Sequence, residues 1–161
     1  YIDMTTSGDD FGTQKGLFMS PAMWREFVKP YFKERIDYTA KFTDAVYLHH
    51  SCGSIFDIIP DLAEIGVKIL NPIQPQAEGM DPKRLKDAYG DIMVFHGGLD
   101  TQVVLPTNDP AIINDAVDYL INAMNPKQNG GFTFAPAHCI QPDVHPEAVV
   151  QMYKRALDIQ K

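Results

Sequence analysis

Cysteine is almost absent, with two among 161 residues. That is too few for a disulfide scaffold in a domain of this size, so both are read as free thiols in a reduced, cytoplasmic setting. Long apolar runs are missing too. No stretch approaches the length of a membrane span and no signal peptide is visible. Basic charge is scarce: 14 Lys and Arg stand against 21 Asp and Glu, giving −7 without histidine. Nucleic-acid backbones and anionic membranes are therefore poor default partners, although a local site can still oppose the global sign. No GxGxxG or GxxxxGK[ST] pattern follows any strand-like segment, so nucleotide binding has no support. Low-complexity segments are lacking as well. An initiator Met is also missing, and "YIDMTTSGDDFG" opens inside a strand-like stretch, which reads as a fragment of something longer.

What is present suits a globular fold. Hydrophobic content of 45% with 22% charged residues is enough for one domain with a core, taken as residues 1–161. Ser20 with Pro21 predicts a helix start, followed by Trp24, Phe27, Val28, Tyr31, Phe32 and Ile36 at helical spacing. Pro30 inside that pattern predicts a kink or a division. "AVYLH" reads as a strand, with Ser54 as cap for a helix in "IFDIIPDLAEIG" and Gly66 as its C-cap. "VKILN" is a second strand, Asp81-Pro82 opens a helix closed by Gly90, and "IMVFH" is a third. Asp109-Pro110 starts a helix with Ile113, Ala116, Val117, Leu120, Ile121 and Met124 on one face. "NPKQNGG" is a loop, "GGFTFA" the last strand, and Pro146 starts a helix bearing Val149, Val150, Tyr153, Ala156 and Leu157. Strands separated by helices in this rhythm predict an α/β fold with a parallel sheet and right-handed crossovers.

Polar residues accumulate just behind the strands: Asp9 and Asp10; His49, His50 and Cys52; Asn71 and Gln74; His96, Asp100 and Gln102; His138 and Cys139. In a parallel α/β barrel all strand C-terminal ends share one face, where active sites are built. Histidine and cysteine are poor loop filler, so their gathering there points to a converging site.

His50-x-Cys52 puts an imidazole and a thiol where a strand leaves the sheet, and zinc favours such mixed nitrogen and sulfur donors. A catalytic zinc needs a third protein ligand, which the pair His138 and Cys139 offers at another strand end. Asp9 and Asp10 are candidates for a general acid or a substrate-positioning carboxylate, or for a turn. His96 follows a strand and is a further candidate. His49 alternates away from His50 and is read as structural, and His145 as a helix N-terminal residue. Arg25, Arg35, Arg84 and Arg155 fall within helix patterns facing solvent, so no carboxylate clamp is visible.

Four segments, "GDDFGTQKGLFMSPAMWREFVKPYFK", "HSCGSIFDIIPDLAEIGVKILNPIQ", "DPKRLKDAYGDIMVFHGGLDTQ" and "APAHCIQPDVHPEAVVQMY", make the chain resemble the C-terminal half of the uroporphyrinogen decarboxylase superfamily. The resemblance implies a (β/α)8 TIM barrel, of which this chain supplies about four to five β/α units. It also implies one of two chemistries: metal-free decarboxylation of an acidic tetrapyrrole, or zinc-dependent methyl transfer between small substrates, corrinoid proteins and thiols such as coenzyme M. H-x-C at this strand end is the methyltransferase pattern and implies His50 and Cys52 as zinc ligands. The third methyltransferase ligand, usually a cysteine, aligns with His138, while Cys139 lies one step later and is the alternative. By the same resemblance Asp10 and His96 are catalytic candidates, and Gln74, Asp100 and Gln102 substrate-binding candidates. The implied partners are a corrinoid protein, a small methyl donor or thiol acceptor, and a missing N-terminal barrel half or a second copy. An inactive half-barrel needing a partner half is the remaining expectation.

Overall fold

The computed structural model describes residues 2–125 and 130–160. Five strands, β1 (Met4–Gly8), β2 (Val46–His50), β3 (Ile69–Asn71), β4 (Val94–His96) and β5 (Phe132–Thr133), form one sheet in the order β1-β2-β3-β4-β5. Every neighbouring pair is parallel. A sheet whose spatial order equals its chain order needs every crossover to step in the same direction. With right-handed crossovers this puts the helices on one face and leaves the other as the concave wall of a barrel sector.

The crossovers are α1 (Pro21–Phe27) and α2 (Lys29–Ala40) after β1, α3 (Ile59–Glu64) after β2, α4 (Pro82–Tyr89) after β3, and α5 (Pro110–Met124) after β4. The last helix, α6 (Pro146–Gln160), follows β5. Each strand thus has its helix, as the alternation of signals predicted. Ser20, Asp81 and Asp109 cap their helices by accepting backbone N–H groups of Met23, Arg84 and Ala111. Pro30 does divide its helix: Val28 ends α1 and precedes α2, whose first turn holds the proline and needs no N–H from it.

The chemistry of single residues shifts several other expectations. Ser54 does not cap a helix; a short 3-10 turn at Phe56–Ile58 intervenes, and α3 begins where Pro60 can occupy its first turn. β2 runs on to His50, so the first ligand candidate lies in the sheet and not beyond it. The last strand shrinks to two residues, although pairing resumes at a parallel bridge between Leu99 and Pro136. Residues 126–129 of the "NPKQNGG" loop lie outside the described residues.

The core fills the space between the sheet and the helices. Trp24, Phe32 and Ile36 of α1 and α2 are buried, whereas Phe27 and Tyr31, expected on the same face, are exposed. α5 buries Ile113, Val117, Leu120, Ile121 and Met124, the face its sequence predicts. α6 is rotated from its expected face: Ala148, Met152 and Ala156 are buried, while Val150, Tyr153 and Leu157 are exposed. Two polar pairs to α5 set that rotation, Arg155 to Asp118 and Gln151 to Asn114.

Strand alternation decides what faces where. His49 is fully buried on the helix side, stacked on Phe11 and packed against Phe32, with Nδ1 3.0 Å from Ser7 Oγ. Burial foremost, with Arg35 and His50 adding to it and Asp9 opposing, lowers its pKa to about 4. His49 is therefore a neutral core residue, as the alternation predicted, and His50 points the opposite way.

Candidate metal centre

Three chain segments place the donor atoms. His50 closes β2, in register with Gly8 of β1 and Asn71 of β3. Cys52 follows in a turn that leaves no room for a side chain at Gly53: a Cβ there, at φ +83°, would lie 2.4 Å from the Gly12 backbone. The 51–54 turn thus lies directly on the loop after β1, joined by Ser54 N–H to the Thr13 carbonyl at 2.8 Å. His138 is delivered by the segment after β5, which runs beside residues 97–100 through the Ala137 N–H bond to Leu99 O at 2.7 Å.

His50, Cys52 and His138 each turn one ligand atom into the same space, all within 4.8 Å of one another. The Sγ of Cys52 is 3.4 Å from His50 Nε2. Two donors of one tetrahedral zinc, at about 2.0 Å for nitrogen and about 2.3 Å for sulfur, are about 3.5 Å apart. The donor set and this separation fit zinc. Cys139 is exposed and outside this group. Burial first, then the charge and hydrogen bond of Asp10, pushes the Cys52 thiol up to about 11. The free protein therefore holds it protonated, and a cation must displace that proton to bind.

The surrounding residues hold the donors in place. Asn71 Oδ1 lies 2.8 Å from His50 Nδ1, and a carboxamide oxygen only accepts, so His50 donates there and keeps its lone pair on Nε2. Asn71 Nδ2 lies 2.7 Å from His96 Nδ1 and 3.3 Å from the His96 carbonyl, two acceptors that fix which way the amide points. His96 thus carries its ring proton on Nε2, and burial lowers its pKa. Sequence reading counted Asn71 among the strand-end polar residues but gave it no role. The signal was its position at the end of the strand next to β2.

The remaining candidates divide by position. Asp10 Oδ1 accepts the Cys52 N–H at 2.7 Å and lies 3.9 Å from His50 Nε2. Asp9 turns away to Arg35 at 3.2 Å. Gln74, Asp100 and Gln102 line a cavity of about 280 Å³ that Cys52 and His138 border. Gln74 Oε1 accepts the Gly53 N–H at 2.8 Å, tying cavity and ligand turn together. Asp100 is buried and accepts from the Gln102 and Val103 N–H groups at 2.6 and 2.9 Å, and from Gln76 Nε2. His145 sits at the start of α6, its N–H donated to Asn108, away from the donors.

Of the strand-end residues, His50, Cys52, Gln74, Asp100, Gln102 and His138 meet at one mouth, whereas His49, Asp9 and Cys139 do not join them. A methyltransferase from Methanosarcina mazei has the same fold with a TM-score of 0.75 at 20% identity, over 99% of this chain and 43% of that one. The chain spans less than half the length of that protein, so its five parallel units form part of a TIM barrel. No curated protein matches it. The family model of uroporphyrinogen decarboxylase (URO-D) matches residues 8–158. That match runs from the end of β1 almost to the end of α6 and takes in every residue at the mouth, so the chain belongs to the uroporphyrinogen decarboxylase family.

Proposed function

We propose that the chain is the metal-binding part of a zinc-dependent methyltransferase, one that moves a methyl group between a small substrate or thiol and a corrinoid carried by a partner protein. The observation that carries this reading is the convergence of one ligand atom each from His50, Cys52 and His138 within 4.8 Å, with Cys52 Sγ 3.4 Å from His50 Nε2. The methyltransferase named above, with the same fold, adds weight to it. When bound, zinc supplies Lewis acidity that lowers a thiol's pKa or polarises the heteroatom bearing the methyl group.

The chain's own residues do the rest. Asn71 holds His50 with its lone pair on Nε2. Asp10 fixes the Cys52 backbone and, half exposed at the mouth, accepts or returns a proton. His96, with its proton on Nε2, is a hydrogen-bond donor to substrate. Gln74, Asp100 and Gln102 line the cavity and orient the small molecule. The reading includes a complementary half: Met4 and Val46 are exposed on the strands, where a barrel would cover them. A well-folded monomer in light scattering would count against that part.

The test is metal analysis of the protein as purified. Close to one zinc per chain is expected, lost in His50→Ala and in Cys52→Ala with the fold retained. Protein that retains no zinc, or variants that retain it unchanged, would leave the metal-free decarboxylase reading in its place.

A further inference from the structure

We infer that the cavity beside the three donors selects a small thiol whose free end is uncharged or cationic, and disfavours one ending in a carboxylate or sulfonate. This rests on the zinc reading and narrows its substrate class. The cavity, about 280 Å³, is walled by Gln14, Gln74, Gln76, Gln102, Thr101 and Asp100, and no Lys or Arg is among its described lining residues. The guanidinium groups are engaged elsewhere: Arg25 with Asp61, Arg35 with Asp9, Arg155 with Asp118, and Arg84 over the Phe56 ring. On the walls that these described residues contribute, a sulfonate or carboxylate tail would find no Lys or Arg to pair with, and such tails are normally bound by charge-assisted hydrogen bonds.

The wall instead carries negative charge. Asp100 is buried, and its donors are two backbone amides and one carboxamide, all neutral, so its charge is hydrogen-bonded but not cancelled. Asp10 sets a second carboxylate against Cys52. Two carboxylates and a thiolate outweigh the two charges of a zinc ion, and a substrate sulfur adds another negative charge. An anionic tail would then be repelled and an ammonium attracted. Glutamine carboxamides both donate and accept, so hydroxyl, amide and ammonium ends can all be bonded.

The test is an NMR titration of the isotope-labelled, zinc-loaded chain with cysteamine, mercaptoethanol and mercaptoethanesulfonate, following the amides of Thr101 and Gln102. Cysteamine is expected to half-saturate those shifts at about one tenth of the mercaptoethanesulfonate concentration or lower, the ratio that roughly 1.4 kcal/mol produces, with mercaptoethanol between them. Gln102→Lys, an exposed position, is expected to reverse the order. Equal or tighter binding of the sulfonate to the unaltered chain overturns the inference, and so does an order that Gln102→Lys leaves unchanged. The zinc reading is judged separately, by whether zinc moves the His50 and Cys52 resonances before any thiol is added. If it does not, that reading fails, and the same amides still decide the tail preference with the same three molecules.

Discussion

His50 Nδ1 lies 2.8 Å from Asn71 Oδ1, across strands whose register sets these two residues side by side. One carboxamide thereby decides the tautomer of two imidazoles, since its other end donates to His96 Nδ1. Partners of this kind orient metal-binding histidines and raise their basicity. Asn71→Leu is expected to weaken zinc binding by about 10–100-fold, while Asn71→Asp, which still accepts from His50, keeps most of the affinity. Competition against a chromophoric chelator measures both. Equal affinities in the leucine variant and the parent would mean that the ring is oriented by something else.

One sulfur, not two, is expected around the metal, because His138 joins the group and Cys139 does not. X-ray absorption of the zinc form counts sulfur neighbours directly. Cys139→Ser should leave zinc content and affinity unchanged, and His138→Ala should weaken binding by at least tenfold, the cost of about 1.4 kcal/mol of lost coordination. A second sulfur in the spectrum, removed by Cys139→Ser, would mean that the loop after β5 rearranges on metal binding.

The parts of this centre differ in how far the sequence exposed them. The H-x-C pair and the strand rhythm are local signals, so His50, Cys52 and the parallel sheet could be read directly. The choice between His138 and Cys139 depends on how the segment after β5 lies along residues 97–100, a tertiary pairing with no local pattern. The role of Asn71 was hidden for the same reason: an asparagine at a strand end gains meaning only from which strand lies beside it. α6 misled through its composition. Its large apolar residues Val150, Tyr153 and Leu157 are exposed, and the buried face falls to Met152 with Ala148 and Ala156, alanines that carry little hydrophobic signal of their own. The split at Val28, by contrast, was visible because Pro30 acts through the backbone, whatever surrounds it.

Gly53 is expected to tolerate no side chain. A Cβ there would meet the Gly12 carbon and oxygen at 2.4 Å and Thr13 O at 2.8 Å, and the backbone already sits at φ +83°. Gly53→Ala should cost about 1–3 kcal/mol from strain and displacement, and should weaken zinc binding because Cys52 precedes it in the same turn. Gly16→Ala is the control: a Cβ at that position meets nothing within 4 Å, so its effect should stay within about 0.5 kcal/mol. Urea unfolding of the two variants gives the comparison. Similar losses in both would mean that the turn around Cys52 does not depend on close backbone approach.

Asp61 should make stability depend on acid. Its buried carboxylate joins α3 to α1 and α2, accepting from Arg25 Nε at 2.9 Å and from Lys29 Nζ at 2.8 Å. Burial pushes its pKa up, but the hydrogen bonds and charges of Arg25 and Lys29 outweigh that and hold it below the usual carboxylate range. A carboxyl whose folded pKa is depressed adds stability that is complete above its unfolded value, about 3.9, and is lost as pH falls through the folded one. Asp61→Asn should therefore be less stable than the parent by about 1–3 kcal/mol near neutrality. The gap between them should hold down to about pH 5 and close progressively below about pH 4. Urea midpoints for both proteins across that range test the sign as well as the size. A gap of constant width would mean that Asp61 contributes through packing and neutral hydrogen bonding, and that its ion pairs add nothing measurable.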